Sequence, residues 1–465
     1  MLFNSPVFIF LFLPLTWVSF AILVRWIPGR KRWPIGLLLF SSLVFYGWWD
    51  YRYLALLLGS IVFNYGVGLL LSKPKPKCGL QWILGLGVGI NVFLLGIFKY
   101  LDFAIESLNA FSGTEIEPVG IVLPLAISFF TFQQIAYLVD CYSGRVKDSS
   151  FVNYALFVSF FPQLIAGPIV HHGEVLPQFN DPATRRIDWD NVACGVFLFV
   201  LGLAKKVLLA DQLSPFVQAG YGSPGALTPG DAWMLSLTYS MQLFLDFCGY
   251  SEMAIGLARM FNIRIPVNFL NPYRAVNLQD FWRRWHVTLS VFLRDYLYIP
   301  LGGNRSGSIR VGLNVMLTFA IGGIWHGAGW NFLLWGLLHG FGQVLVRVWR
   351  GAGMRMPLMA GWALTFLFVN AGWVFFRAPD FGSAWTVLAK MLGVSGESGP
   401  GLGNVSNPFL IGLVGVSAWV SLFLPSTRRL VEMRPGVMHA VVIVVLFVAC
   451  VMRLQDHSEF IYFRF

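Results

Sequence analysis

Two histidines stand where histidines are costly. His326 lies in IGGIWHGAGWNFLLWGLLHG (321–340), an apolar and glycine-rich run. An ionisable side chain in such a segment is expensive and is a functional candidate by default. Away from water the imidazolium form is disfavoured, so the ring keeps a lone pair that can accept a proton. The flanking glycines admit a second helix at close range, or a slender ligand chain. The plainer alternative is a hydrogen-bonded histidine that joins two helices, and residue chemistry alone leaves both open. His286, in DFWRRWHVTLS (280–290), is the second candidate, against a histidine packed under an interfacial helix. His339, thirteen residues beyond His326, reads as a packing residue at the far end of the same run. His171 and His172 are adjacent, so their side chains diverge and no shared metal is expected. His439 and His457 read as peripheral.

Other polar residues interrupt apolar sequence. Gln242, Asp246 and Ser251, in QLFLDFCGYSEMAIGLA (242–258), either line a tunnel or bond between helices. Gln133, Gln134, Gln163 and the Lys205-Lys206 pair are similar intrusions. LGGNRSG (301–307) has glycines and an arginine but lacks a Walker lysine, so phosphate cradling is weakly indicated. There is no GxSxG hydrolase elbow. The five cysteines (78, 141, 194, 248, 450) are far apart, and no CxxC or Cys/His cluster suggests zinc or a disulfide framework.

The elements that must position these residues follow from composition. Of 465 residues, 57% are hydrophobic and 12% charged, and mean hydropathy is +0.67. A soluble protein needs about a quarter of its residues charged. The expectation is an all-α polytopic membrane protein, with stretches such as 7–24, 52–72, 80–98 and 437–452 long enough to cross a bilayer. The net charge of +11 does not point to nucleic acid, because the Lys and Arg residues sit in short inter-span segments. The first apolar stretch lacks a basic leader and is long, so it reads as a retained span.

Loop charge gives an orientation. Arg25, Arg30, Lys31 and Arg32, then Lys73, Lys75 and Lys77, mark cytoplasmic loops; 100–118, with four acids and no base, reads as external. Segment 264–310 holds seven arginines and reads as cytoplasmic, which requires crossings at 119–139, 191–211 and 230–250. The Pro- and Gly-interrupted 151–170 then enters and leaves on one side. Trp282, Trp285, Leu289, Phe292 and Tyr296 recur at helical spacing, so 279–297 reads as one amphipathic helix, at the interface or dipping into the protein. Segment 311–346 reads as a broken helical pair, followed by spans near 357–376, 408–424 and 437–453. The aromatic tail 454–465 ends in FIYFRF, on the external side. No internal repeat is visible.

Several of these segments carry a resemblance. DFCGYSEMAIGLARMFNIRIPVNFLNPY, DFWRRWHVTLSVFLRDYLYIPLGGNR and GGIWHGAGWNFLLWGLLHG, in that order, resemble the membrane-bound O-acyltransferase family, as do PLAISFFTFQQIAYLVDCY and FFPQLIAGPIV. The likeness is greatest to its bacterial branch of alginate O-acetyltransferase membrane subunits and D-alanyl transfer proteins, and it runs the length of the chain. It implies one transmembrane domain over 1–465: a ring of about 11–12 helices with re-entrant segments and a central tunnel. Within it, 1–250 would supply the N-terminal spans, 264–310 the cytoplasmic segment, 311–453 the spans with the catalytic histidine, and 454–465 the tail. The family's in-membrane histidine maps onto His326 and its second histidine or asparagine onto His286.

The implied activity is transfer of acetyl from cytoplasmic acetyl-CoA toward an extracellular polysaccharide, of alginate or cellulose type, in the bacterial inner membrane. No permanently bound cofactor or metal is expected. His326 would be the general base, and His286 would orient the donor or stabilise the oxyanion. Arg283, Arg284 and Arg294 would attract the polyanionic CoA, although positive-inside topology explains them equally well. The partners implied are an extracytoplasmic SGNH-type acetyltransferase and a polysaccharide synthesis or secretion complex. Tyr462 would be a transient acyl carrier, against the plainer reading of an interfacial aromatic anchor. The rival readings are a transporter or flippase of an acyl donor without chemistry of its own, and a scaffold subunit.

Overall fold

The computed structural model describes residues 1–26, 32–73, 77–146, 150–165, 167–305, 307–394, 399–454 and 461. Among the described residues every regular element is helical. Among the described residues, seven helices are long and apolar enough to cross a membrane: Phe8–Trp26, Tyr51–Leu71, Gly79–Ser112, Trp189–Gly222, Gly307–His326, Trp330–Gly351 and Leu358–Arg377. Three shorter apolar helices, Trp33–Gly47, Pro408–Phe423 and Val437–Val451, accompany them. The chain is an all-α, multi-pass membrane protein, as its composition requires.

Two expectations are corrected. Segment 100–118 is not a loop throughout: the helix continues to Ser112, and only then does the chain turn back. Asp102 fixes that return by accepting from the Val119 and Gly120 N–H groups at 2.8 and 3.0 Å. Segment 279–297 is not one helix. It forms Leu278–Trp282 and Val287–Leu293, separated by a turn in which His286 adopts φ +43°. Its aromatic face is buried in protein rather than laid on an interface, since Trp282, Trp285, Leu289 and Phe292 are all buried.

The contacts divide the chain into two compact units. The first comprises residues 1–201, 250–266 and 433–444. Its core is aromatic: Phe8, Phe45 and Phe161 meet with centroids 5.7–6.2 Å apart. A polar knot ties three helices. Asn91 donates to Asn64 Oδ1 at 2.7 Å, Ser60 donates to Gln134 Oε1 at 2.8 Å, and Asn64 donates to the same Gln134 oxygen. Such side-chain bonds are how helices adhere where no hydrophobic drive separates them from lipid. The stretch 151–170 is broken as expected, into Phe151–Ser159 and Phe161–Leu164, and the Ser42 hydroxyl accepts the Phe161 N–H at the break.

The second unit comprises residues 202–249, 267–432 and 445–465. Its centre is the expected broken pair, Gly307–His326 and Trp330–Gly351. These helices touch backbone to backbone. A Cβ on Gly323 would stand 2.3 Å from the Phe332 carbonyl oxygen, and one on Gly336 would stand 2.3 Å from that of Phe319. Only glycine at both positions permits this approach. Lys206 is buried between Asp211 and Asp246, at 2.6 and 2.7 Å. Asp246 therefore serves an ion pair inside the unit, and its other oxygen accepts the Ile461 N–H at 2.9 Å.

Candidate functional site

His326 is the last residue of its helix, with only 3% of its surface exposed. The Gly323–Gly336 contact one turn earlier sets how close that helix end lies to the next helix. The His326 ring is edge-on to Trp325, Trp335 and Phe376, with centroids at 5.0, 5.1 and 5.3 Å. His286 faces it at 6.5 Å, ring to ring. The structure thus brings together two histidines forty residues apart in sequence.

His286 is fully buried, and its position is over-determined. Asn268 accepts the Val287 N–H on its backbone oxygen at 3.0 Å, and the Leu270 N–H donates to the Arg284 carbonyl at 2.9 Å. These two bonds clasp the turn and hold His286 in the left-handed region, a conformation that costs energy unless its surroundings enforce it. The Asn268 side chain completes the clasp. Its Oδ1 accepts from Thr288 Oγ1 at 2.9 Å and from Thr288 N at 3.4 Å, and lies 3.1 Å from His286 Nδ1. An oxygen that already accepts from Thr288 can meet Nδ1 only as N–H. The remaining ring nitrogen, Nε2, then carries the lone pair. Burial pushes the His286 pKa down to about 3, so the neutral ring is the form present at physiological pH.

A cavity of about 550 Å³ reaches His326. Its buried wall carries His326, Trp282, Trp335 and Gly322, with half-buried Phe319 beside them; its exposed side carries Arg283, Arg294 and Arg347. The volume is in the range of small-molecule sites. Of the three arginines expected from sequence, Arg283 and Arg294 line it. Arg284 does not: its Nε donates to Asp280 at 2.9 Å and its Nη1 to the Leu270 carbonyl. Arg294 is held by Asp295 at 2.6 Å, which together with its hydrogen bond raises the guanidinium pKa. Sequence reasoning missed Arg347, two helical turns beyond His339, where Asn304 accepts from it at 3.0 Å. It also missed Asn268. His339 does pack, as expected, but it also accepts the Trp282 Nε1–H on Nδ1 at 3.2 Å.

A second cavity, of about 220 Å³, is lined by Tyr239, Gln242, Phe376, Arg377 and Ile461, among others. Of the three tunnel candidates only Gln242 is here. Asp246 lines neither cavity, and Ser251 is buried in the other unit. Tyr462 lies outside the described residues.

Residues 142–378, half of the chain and every residue of the histidine site, match the sequence profile of "MBOAT, membrane-bound O-acyltransferase family". The chain belongs to the membrane-bound O-acyltransferase family. It is 46% identical to the "Peptidoglycan O-acetyltransferase" of Helicobacter pylori, over 88% of this chain and 83% of that one. It is 42% identical to the "Probable alginate O-acetylase AlgI" of Azotobacter vinelandii, over 84% and 78% of the two chains. The protein of the same name from Pseudomonas putida is 37% identical with both chains fully covered. This membrane protein is therefore an O-acyltransferase, and the family expected from its motifs is the one found.

Proposed function

We propose that this O-acyltransferase takes acetyl groups from acetyl-CoA at the arginine-bearing side of the 550 Å³ cavity and delivers them to a glycan of the cell envelope. One observation carries the reading: a buried histidine and three exposed arginines line a single cavity. Exposed arginines suit the nucleotide phosphates, which gain Coulomb energy without losing their water. The thioester end then reaches His326, which removes the proton of an attacking hydroxyl and returns it to the departing thiolate. His286, with its lone pair on Nε2, acts from the facing side as an acceptor that orients the incoming hydroxyl.

The relatives' names make peptidoglycan and alginate the first acceptors to test. Cellulose has no such support. The site of action is the inner membrane, and a separate extracytoplasmic transferase of SGNH type completes delivery to the polymer. Tyr462 is the proposed carrier between the two.

The test is reconstitution in proteoliposomes with radiolabelled acetyl-CoA. Wild-type protein should release free CoA, and His326→Ala should reduce release to background at equal membrane abundance. Near-normal release by His326→Ala refutes the histidine mechanism, and no release by wild-type protein favours a flippase.

A further inference from the structure

Acyl transfer needs a base and also donors for the oxygen that becomes negative, and neither His286 nor His326 is placed to donate. His286 spends its only N–H on Asn268. His326 must keep a lone pair for the proton. The donors have to come from elsewhere.

Trp335 Nε1 and His339 Nε2, buried in the same unit, are candidates. Trp335 Nε1 has no hydrogen-bond partner among the described residues, and the side chain is 1% exposed. Indole nitrogen can only donate. His339 is fully buried, and its Nε2 likewise has no partner. Its Nδ1 accepts from Trp282, so the ring proton must sit on Nε2. Neither N–H donor meets an acceptor among the described residues, and a buried donor left so is costly until an acceptor arrives.

They also share a space. A Cβ on Gly372 would lie 3.3 Å from His339 Nε2 and 3.6 Å from Trp335 Nε1. Both nitrogens therefore lie beside the same glycine. The two rings are 4.8 Å apart, and Trp335 both lines the acyl-donor cavity and packs on His326 at 5.1 Å. Two donors beside one glycine call for an oxygen that accepts twice. A water would do so, yet its own two hydrogens would then need acceptors. A carbonyl oxygen, or the oxyanion derived from it, accepts twice and requires nothing more.

We infer that Trp335 Nε1 and His339 Nε2, over Gly372, form an oxyanion site for the acyl-transfer step. The inference rests on the reading of His326 as the base. The acceptor hydroxyl oxygen bonds to the thioester carbon as its proton passes to His326. The carbonyl electron pair moves onto oxygen, between the two N–H groups. The carbonyl then re-forms, the carbon–sulfur bond breaks, and the CoA thiolate takes the proton from His326. Donors fixed in advance in a dry site stabilise that oxygen strongly, because nothing must reorganise as charge appears.

The test compares Trp335→Phe and Gly372→Ala with wild type, reading CoA release as kcat and KM. Loss of one such donor lowers kcat by about 10²–10³-fold. KM for acetyl-CoA should stay within about threefold, because the interaction is made in the transition state. The second readout is the infrared carbonyl stretch of ¹³C-labelled acetyl-CoA bound to a His326→Ala background, which cannot turn over. It should move to lower frequency relative to free acetyl-CoA, and adding Trp335→Phe should reduce the shift, leaving the part due to His339, even where kcat is unmeasurable. Full kcat in Trp335→Phe, or an unshifted carbonyl, overturns the site; a structural water would give the unshifted carbonyl. If His326→Ala is inactive while Trp335→Phe is fully active, only the oxyanion site fails. If His326→Ala is active, the underlying reading fails as well.

Discussion

Gly323→Ala adds one methyl group and should remove most of the activity. The added carbon would stand 2.3 Å from the Phe332 carbonyl oxygen and 3.0 Å from Gly336 Cα. Carbon and oxygen approach to about 3.3 Å at best, so the two helices must part by roughly 1 Å. Both obstacles are backbone atoms, and no side chain can rotate away. His326 lies three residues further along the same helix and moves with it, away from His286 and from the cavity wall. A displacement of that size at a reacting group costs about 10²-fold in rate, or about 2.7 kcal/mol of barrier. Overpacking should cost about 1–3 kcal/mol of stability as well. The assay is CoA release from acetyl-CoA in proteoliposomes, alongside thermal denaturation in detergent. Gly312→Ala on the same helix is the control, since its Cβ would meet only the Val344 methyls at 3.9 Å. A Gly323→Ala enzyme within about threefold of wild-type kcat would refute the argument that this contact positions His326.

Arg347→Gln and Arg283→Gln should each raise KM for acetyl-CoA and flatten its dependence on salt, while Arg284→Gln, whose side chain is committed to Asp280, should do neither. Asn268→Ala removes the acceptor for His286 Nδ1 and Thr288, so it should destabilise the protein by about 1–3 kcal/mol in thermal denaturation and lower kcat. Asp380 caps the helix Phe381–Met391 by accepting from the Ser383 N–H and hydroxyl, bonds that hold its carboxyl below the usual range. That stabilisation is present above the ordinary Asp value near ~3.9 and is lost as pH falls through the lowered value. Asp380→Ala should cost about 1 kcal/mol at neutral pH, and the difference from wild type should shrink in acid melts.

What the sequence disclosed was what local pattern encodes. Hydropathy located most of the crossing helices, and the glycines around His326 announced a broken pair because close approach needs them wherever they fall. Where the reading failed, a distant partner had overruled the local pattern. The spacing of Trp282, Trp285 and Leu289 is helical, yet the chain turns between them because Asn268 and Leu270 pair with Val287 and Arg284. A buried turn packed with aromatic rings repeats every three or four residues just as a helix does, so periodicity cannot separate the two. Four acids and no base made 100–118 read as an external loop; in the structure one of them, Asp102, sits on a helix and binds the segment that folds back over it. Arg347 was overlooked because charge near the end of a span already has a topological explanation.

The chemical roles were hidden at a deeper level than the positions. His286 and His339 are both fully buried among aromatic rings, and the sequence, which marks one as a candidate and the other as a packing residue, does not show which ring nitrogen of each carries the proton. Their partners do. Asn268 presents an oxygen to Nδ1 of His286, which makes Nε2 an acceptor. Trp282 presents an N–H to Nδ1 of His339, which makes Nε2 a donor. One ring thereby presents an acceptor on Nε2 and the other a donor. The distinction lies in a single hydrogen bond at the far side of each ring, contributed by residues 18 and 57 positions away.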